Sequence, residues 1–136
     1  MRNQNLDDDI KVSVICIAYN HEKYISRTLD SFLEQKTNFA YEILVHDDAS
    51  TDKTAEIIKK YAEKHDCIVP ILEEENQHSK PNVRMIGDCC LPKARGQYIA
   101  VCEGDDYWVD ENKLQKQKII GIQEMCRKIK EQCYEA

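Results

Sequence analysis

Apolar positions run almost without interruption from Val12 to Ala18, where only Ser13 is polar. Several are β-branched, which predicts a central parallel strand covered on both faces. The period then changes. Ile25, Leu29, Phe32 and Leu33 fall at i, i+4, i+7 and i+8, which predicts a helix with one apolar face. Glu42–His46 predicts a second strand, ending in Asp47-Asp48-Ala49-Ser50-Thr51-Asp52. Ser50 or Thr51 is placed to cap a helix that turns Ala55, Ile58 and Ala62 inward. Cys67–Leu72 predicts a weaker strand. Pro70 cannot donate a ladder hydrogen bond, so that strand is expected at an edge. Val83, Ile86 and Cys90 predict a short helix limited by Pro92 and Gly96. Tyr98–Cys102 predicts a fourth strand. Finally, Ile119, Ile122, Cys126, Ile129 and Cys133 alternate three and four apart, the stripe of an amphipathic helix.

Strands alternating with helices predict βαβ units: an α/β, Rossmann-like, mostly parallel sheet of about four strands flanked by helices. The expected organisation is a polar tail over 1–11, an α/β unit over 12–109 and a C-terminal helix over 110–136. Right-handed crossovers bring every strand's carboxyl end to one edge. Ala18-Tyr19-Asn20, Asp47-Asp48 and Glu103 to Asp106 all fall on that edge, where open α/β sheets bind ligands.

The chemistry expected there is set by Glu103, Asp105 and Asp106, which directly follow the fourth strand. Hard oxygen ligands suit Mg²⁺ or Mn²⁺, ions commonly held together with substrate phosphates. Asp105 is the expected ligand, with Asp106 and Glu103 beside it. The chain has neither GxGxxG nor GxxxxGK[ST], which disfavours a dinucleotide site and a P-loop. Asp48 can accept from a base N–H or a ribose hydroxyl, and Tyr19 offers a face for stacking. Plainer roles are expected elsewhere. Asp47 suits a turn or cap, and Tyr107-Trp108 suits core packing. His21, His46, His65 and His78 lack a metal-ligand spacing.

Composition narrows the partners. The 136 residues amount to one domain, and the net charge of −6 gives no support for binding nucleic acid. Seven cysteines without a CxxC pair are expected as free thiols in a reducing cytosol, with no zinc site. Met1 to Lys11 lacks the apolar core of a signal peptide, and no run is long enough to span a bilayer. A soluble, cytoplasmic protein is expected, brought to the inner membrane face only through partners.

Taken in order, Val12–Asn20, Val45–Asp52, Ala94–Ala100 and Glu103–Trp108 resemble family-2 glycosyltransferases. The resemblance covers about Val12 to Gln117. It implies an inverting enzyme of the A-type, nucleotide-diphospho-sugar transferase fold, with a metal-dependent donor site for a nucleotide-diphosphate sugar, commonly a UDP-sugar. It places Ala18, Tyr19 and Asn20 beside the nucleotide, with Tyr19 against the base. Asp48 is placed on the base, Arg84 on the nucleotide, and Glu103 at the ribose or sugar. Asp105 and Asp106 are placed at the metal. The first acidic position of the family's DxD motif is Glu here, a longer arm that still accepts hydrogen bonds. The family's catalytic base lies well downstream of that motif, and none is assigned in this chain. Two readings follow: a donor-binding domain that transfers a sugar to a polysaccharide or lipid-linked acceptor, or a nucleotide-sugar-binding module without turnover. A nucleotidyltransferase would need a Gly-rich basic loop after the first strand, which Tyr19 to Lys23 does not supply. The stripe Ile119, Ile122, Cys126 and Ile129 is expected to pair two copies as a homodimer.

Overall fold

The computed structural model describes residues 10–120, with side chains through Lys116. Its elements are β1 (Ile10–Ala18), α1 (Ile25–Leu33), β2 (Ala40–Asp47), α2 (Thr54–Lys64), β3 (Ile68–Leu72), β4 (Tyr98–Glu103) and α3 (Lys113–Ile120). A π-helical segment, Met85–Cys90, and a 3₁₀ turn, Leu91–Lys93, precede β4. The strands form one sheet in the order β3-β2-β1-β4, and every pairing is parallel.

The burial of β1 explains its central place. Val14, Ile15 and Cys16 are consecutive, so they point to alternate faces, yet all are fully buried. Only a strand covered on both sides shows that. The equivalent run in β2, Ile43 to Val45, behaves the same way. Helix α1 closes one face with Ile25, Leu29 and Phe32, all fully buried. Helix α2 buries Ile58 most deeply, while Ala55 and Ala62 are only half-buried. β3 lies at the edge, and Pro70 is exposed there, as its missing N–H requires.

Register places the strand ends together. Ala18 pairs with Asp47, and Ile17 pairs with both His46 and Glu103. The carboxyl edge is therefore built from three adjacent strands.

Two local expectations are corrected. Helix α2 begins at Thr54, and its first N–H is taken by Asp52 Oδ1 at 2.9 Å, not by Ser50 or Thr51. Those two residues are committed to a different contact, described below. The helix expected around Val83, Ile86 and Cys90 is a π segment that starts only at Met85. Arg84 precedes it with extended backbone, and its N–H donates to Asp88 Oδ2 at 2.7 Å. Arg84 is therefore not a helical residue.

Trp108 packs as expected, with its ring centroid 4.6 Å from that of Phe32. Tyr107 does not: it is exposed, with the Arg27 guanidinium 4.1 Å above its ring. Leu114 anchors the start of α3 in the core, and its N–H donates to Gln35 Oε1 at 3.0 Å. The side chains of the stripe Ile119, Ile122, Cys126 and Ile129, and with them the expected homodimer contact, lie outside the described residues. Among the described residues, no helix is long and apolar enough to cross a membrane.

Candidate functional site

A cleft of about 500 Å³ opens at the carboxyl edge, over β1 and β4. Its wall includes Ile17, Tyr19, His21, His78, Arg84 and Glu103. The structure thus brings Tyr19, Arg84 and Glu103 to one cavity, although they are far apart in sequence. Ala18, Asn20, Asp48, Asp105 and Asp106 are not on its wall.

The loops around the cleft are latched to each other. After β1, Asn20 adopts a left-handed φ of 53°, and after β2, Ala49 has φ 59°. The Asn20 N–H donates to Ser50 Oγ at 2.9 Å, and the Thr51 N–H returns a bond to Asn20 Oδ1 at 2.8 Å. The His21 N–H donates to Thr54 Oγ1, and the Glu22 N–H to Asp52 Oδ2. Asp47 accepts from the Ser50 hydroxyl and N–H. The run from Asp47 to Asp52 is therefore a polar clasp that fixes the β1 loop. Burial opposes ionisation of Asp52, but bonds from the Thr54 hydroxyl, the Thr54 N–H and the Glu22 N–H win. They hold its carboxyl below the usual range.

Asp48 is 1% exposed. Its Oδ1 accepts from the Gln77 N–H at 2.6 Å and its Oδ2 from the His78 N–H at 3.1 Å. Both oxygens thus clamp the loop after β3, which carries His78 and Arg84 to the cleft. A short Asp at a strand end reads equally as a clamp or as a ligand contact, and only the folded loop distinguishes them.

At the rim, the chain turns through Glu103 to Asp106, closed by the Asp106 N–H donating to the Glu103 carbonyl at 3.0 Å. Thr28 Oγ1 ties this turn to α1 by donating toward the carbonyls of Gly104 and Asp106. Glu103, Asp105 and Asp106 are left exposed. The Asp105 side chain is 47% exposed, and the ring of His21 reaches to 3.9 Å from its Oδ2. His21 Nδ1 is buried without a partner and lies where a Cβ on Gly104 would meet it at 2.7 Å. His21 is the site residue that spacing alone missed. Its signal was position: it directly follows Tyr19-Asn20.

The donor set fits a hard divalent cation. Glu103, Asp105 and Asp106 are exposed within one turn and offer only carboxylate oxygens, the donor type such an ion prefers, with the His21 ring 3.9 Å from Asp105. The cleft also fits an anion. Arg84 is bonded to Asp88 through Nη2 at 3.3 Å, yet its Nη1 is buried with no partner. A buried guanidinium N–H left unpaired is costly unless a ligand takes it. Below the rim, burial and the charge of Asp106 push the Cys102 thiol up to about 11. Burial, then Cys102, also raise Cys16.

The architecture is the A-type, nucleotide-diphospho-sugar transferase fold. Residues 13–118 match the family described as "Glycosyl transferase family 2", and the chain belongs to that family. An uncharacterized protein of Mycobacterium tuberculosis is 45% identical over 107 residues, covering 78% of this chain and 30% of that protein. The crystal structure of Staphylococcus aureus TarS 1–349 in complex with UDP superposes with a TM-score of 0.66 at 32% identity, over 81% of this chain and 31% of that one. The mannosyltransferase PcManGT from Pyrobaculum calidifontis, in complex with GDP-Man and Mn²⁺, superposes with a TM-score of 0.64 at 27% identity. That match covers 76% of this chain and 30% of PcManGT. The chain spans less than half the length of these relatives.

Proposed function

We propose that this chain is the donor-binding part of a sugar transferase that uses a nucleotide-diphosphate sugar, a UDP-sugar by preference, and a polysaccharide or lipid-linked acceptor. One observation carries the reading: the fold sets Tyr19, Glu103 and an Arg84 guanidinium whose Nη1 has no partner around one cleft, and exposed Asp105 and Asp106 follow Glu103 in the same turn. The UDP bound by TarS and the GDP-Man and Mn²⁺ bound by PcManGT support it.

Each residue has work suited to its chemistry. Tyr19, 44% exposed, offers its ring to the base. Arg84 Nη1 donates to a phosphate oxygen, satisfying its orphan N–H. Glu103 accepts from a ribose or sugar hydroxyl. Asp48 acts through the loop it clamps, and Asn20 through the turn it latches to Ser50 and Thr51, with Ala18 at the end of β1 before that turn. Asp105, supported by Asp106, holds Mg²⁺ or Mn²⁺. Such an ion neutralises charge that builds on a diphosphate leaving group. No described carboxylate is assigned as the base that deprotonates the acceptor. Residues 12–109 are the donor unit in this reading.

Calorimetric titration with UDP, GDP and CDP in the presence of Mn²⁺ tests the reading. Saturable binding, tightest for UDP, is expected. Absence of binding by all three nucleotides contradicts it.

A further inference from the structure

We propose that His46, Glu73 and Cys89 form a second metal site, separate from the acidic rim, that takes Zn²⁺. One ligand atom from each residue lies within 4.8 Å of the other two. His46 is fully buried, and its Nε2 sits 2.9 Å from Glu73 Oε2. Its Nδ1 is buried and has no partner, so the ring's polar contacts all lie on the Nε2 side. Glu73 and Cys89 are half-buried, unlike the solvated carboxylates at the rim.

The donor types select the ion. One imidazole nitrogen, one thiolate and one carboxylate oxygen suit a borderline cation such as Zn²⁺, whereas the all-oxygen rim suits Mg²⁺ or Mn²⁺. Three protein ligands leave one tetrahedral position for water. Burial, and then the neighbouring Glu73, raise the Cys89 thiol, so the metal-free site keeps its proton there. Metal binding releases that proton as the sulfur–metal bond forms. The sequence offered no such site, because the three ligands come from separate elements and show no ligand spacing.

The location gives the site a consequence. His46 is in β2, Glu73 directly follows β3, and Cys89 lies in the π segment. Between Glu73 and the π segment runs the stretch that carries the Asp48 clamp and Arg84. An ion at the site ties both ends of that stretch to β2. It therefore sets the cleft wall before any donor arrives.

The test uses the full chain, stripped with a chelator and titrated with Co²⁺, whose thiolate complexes absorb by charge transfer. A saturable thiolate-to-cobalt band that Zn²⁺ displaces is expected. It should vanish in Cys89→Ser, persist in Asp105→Ala, and require at least about tenfold more Co²⁺ in Glu73→Gln. No band in the wild type, or a band that survives Cys89→Ser, overturns the proposal and leaves a hydrogen-bonded triad. If Cys89→Ser does not fold, alkylation of the wild type decides. Zn²⁺ should protect Cys89 from iodoacetamide, read at that residue by mass spectrometry; equal labelling with and without Zn²⁺ overturns the site. Loss of UDP binding in Asp105→Ala with the cobalt band intact separates this proposal from the donor site.

Discussion

His21 Nε2 stands 3.9 Å from Asp105 Oδ2, and its Nδ1 is pressed against Gly104. The ring therefore fills the space between the β1 loop and the acidic turn. It touches a proposed metal ligand while lining the cleft, which makes it a positioning residue. His21→Ala should lower metal-dependent UDP affinity about tenfold to hundredfold, the range for lost support of a metal ligand. His21→Asn, which retains a donor, should recover part of it. The comparison is made by calorimetry with and without Mn²⁺. Equal affinities in all three proteins would assign His21 to packing alone.

Two glycines fill tight contacts of different kinds. A Cβ on Gly96 would meet Ser13 N at 2.6 Å and Val12 C at 2.7 Å, both backbone atoms of the central strand. A Cβ on Gly104 would meet the His21 ring first, a side chain that can swing away. Gly96→Ala should cost about 3 kcal/mol in urea denaturation, at the upper end for overpacking, and Gly104→Ala about 1 kcal/mol. Gly104→Ala should instead show its effect in donor binding.

Glu42 is buried beneath the sheet's other end. It accepts from Ser13 Oγ at 2.6 Å, and from the N–H and Nε of Arg95 at 2.7 and 2.9 Å. Glu42→Gln keeps the volume but removes the charge that these donors face. A loss of about 1–3 kcal/mol is expected from thermal or chemical unfolding, with nucleotide affinity unchanged in the fraction that stays folded.

Asp52 supplies a pH signature. Its carboxyl is held below the usual range in the folded protein, so its ionised form stabilises the fold. That contribution is present above the unfolded value of about 4 and fades as pH falls through the lower folded value. Asp52→Asn should therefore flatten the stability profile on the acid side of about pH 4, while at neutral pH the variant is the less stable. A pH series of urea denaturations on both proteins checks this.

Much of the fold was legible because it rests on short-range pattern. The run from Val12 to Ala18 announced a strand buried on both faces, and Pro70 announced an edge. The acidic turn was legible for the same reason. Three carboxylates after a strand need no tertiary contact to be noticed. What failed was long-range. Ser50 and Thr51 look like helix caps until Asn20, some thirty residues away, is seen to claim them. The N–H groups of Gln77 and His78 that donate to Asp48 were equally out of reach of local pattern. Val83, Ile86 and Cys90 have helical spacing. Asp88 nonetheless takes the Arg84 N–H, and the chain winds into a wider π turn only afterwards, leaving Arg84 extended and lining the cleft.

We propose that Asp105 holds a divalent ion, which in turn holds a nucleoside diphosphate in the cleft. Calorimetry of UDP on wild type and Asp105→Ala, each with and without Mn²⁺, tests it most directly. Binding that needs both Mn²⁺ and Asp105 is the predicted result. UDP binding of equal strength in all four titrations would contradict a metal-bridged diphosphate at Asp105.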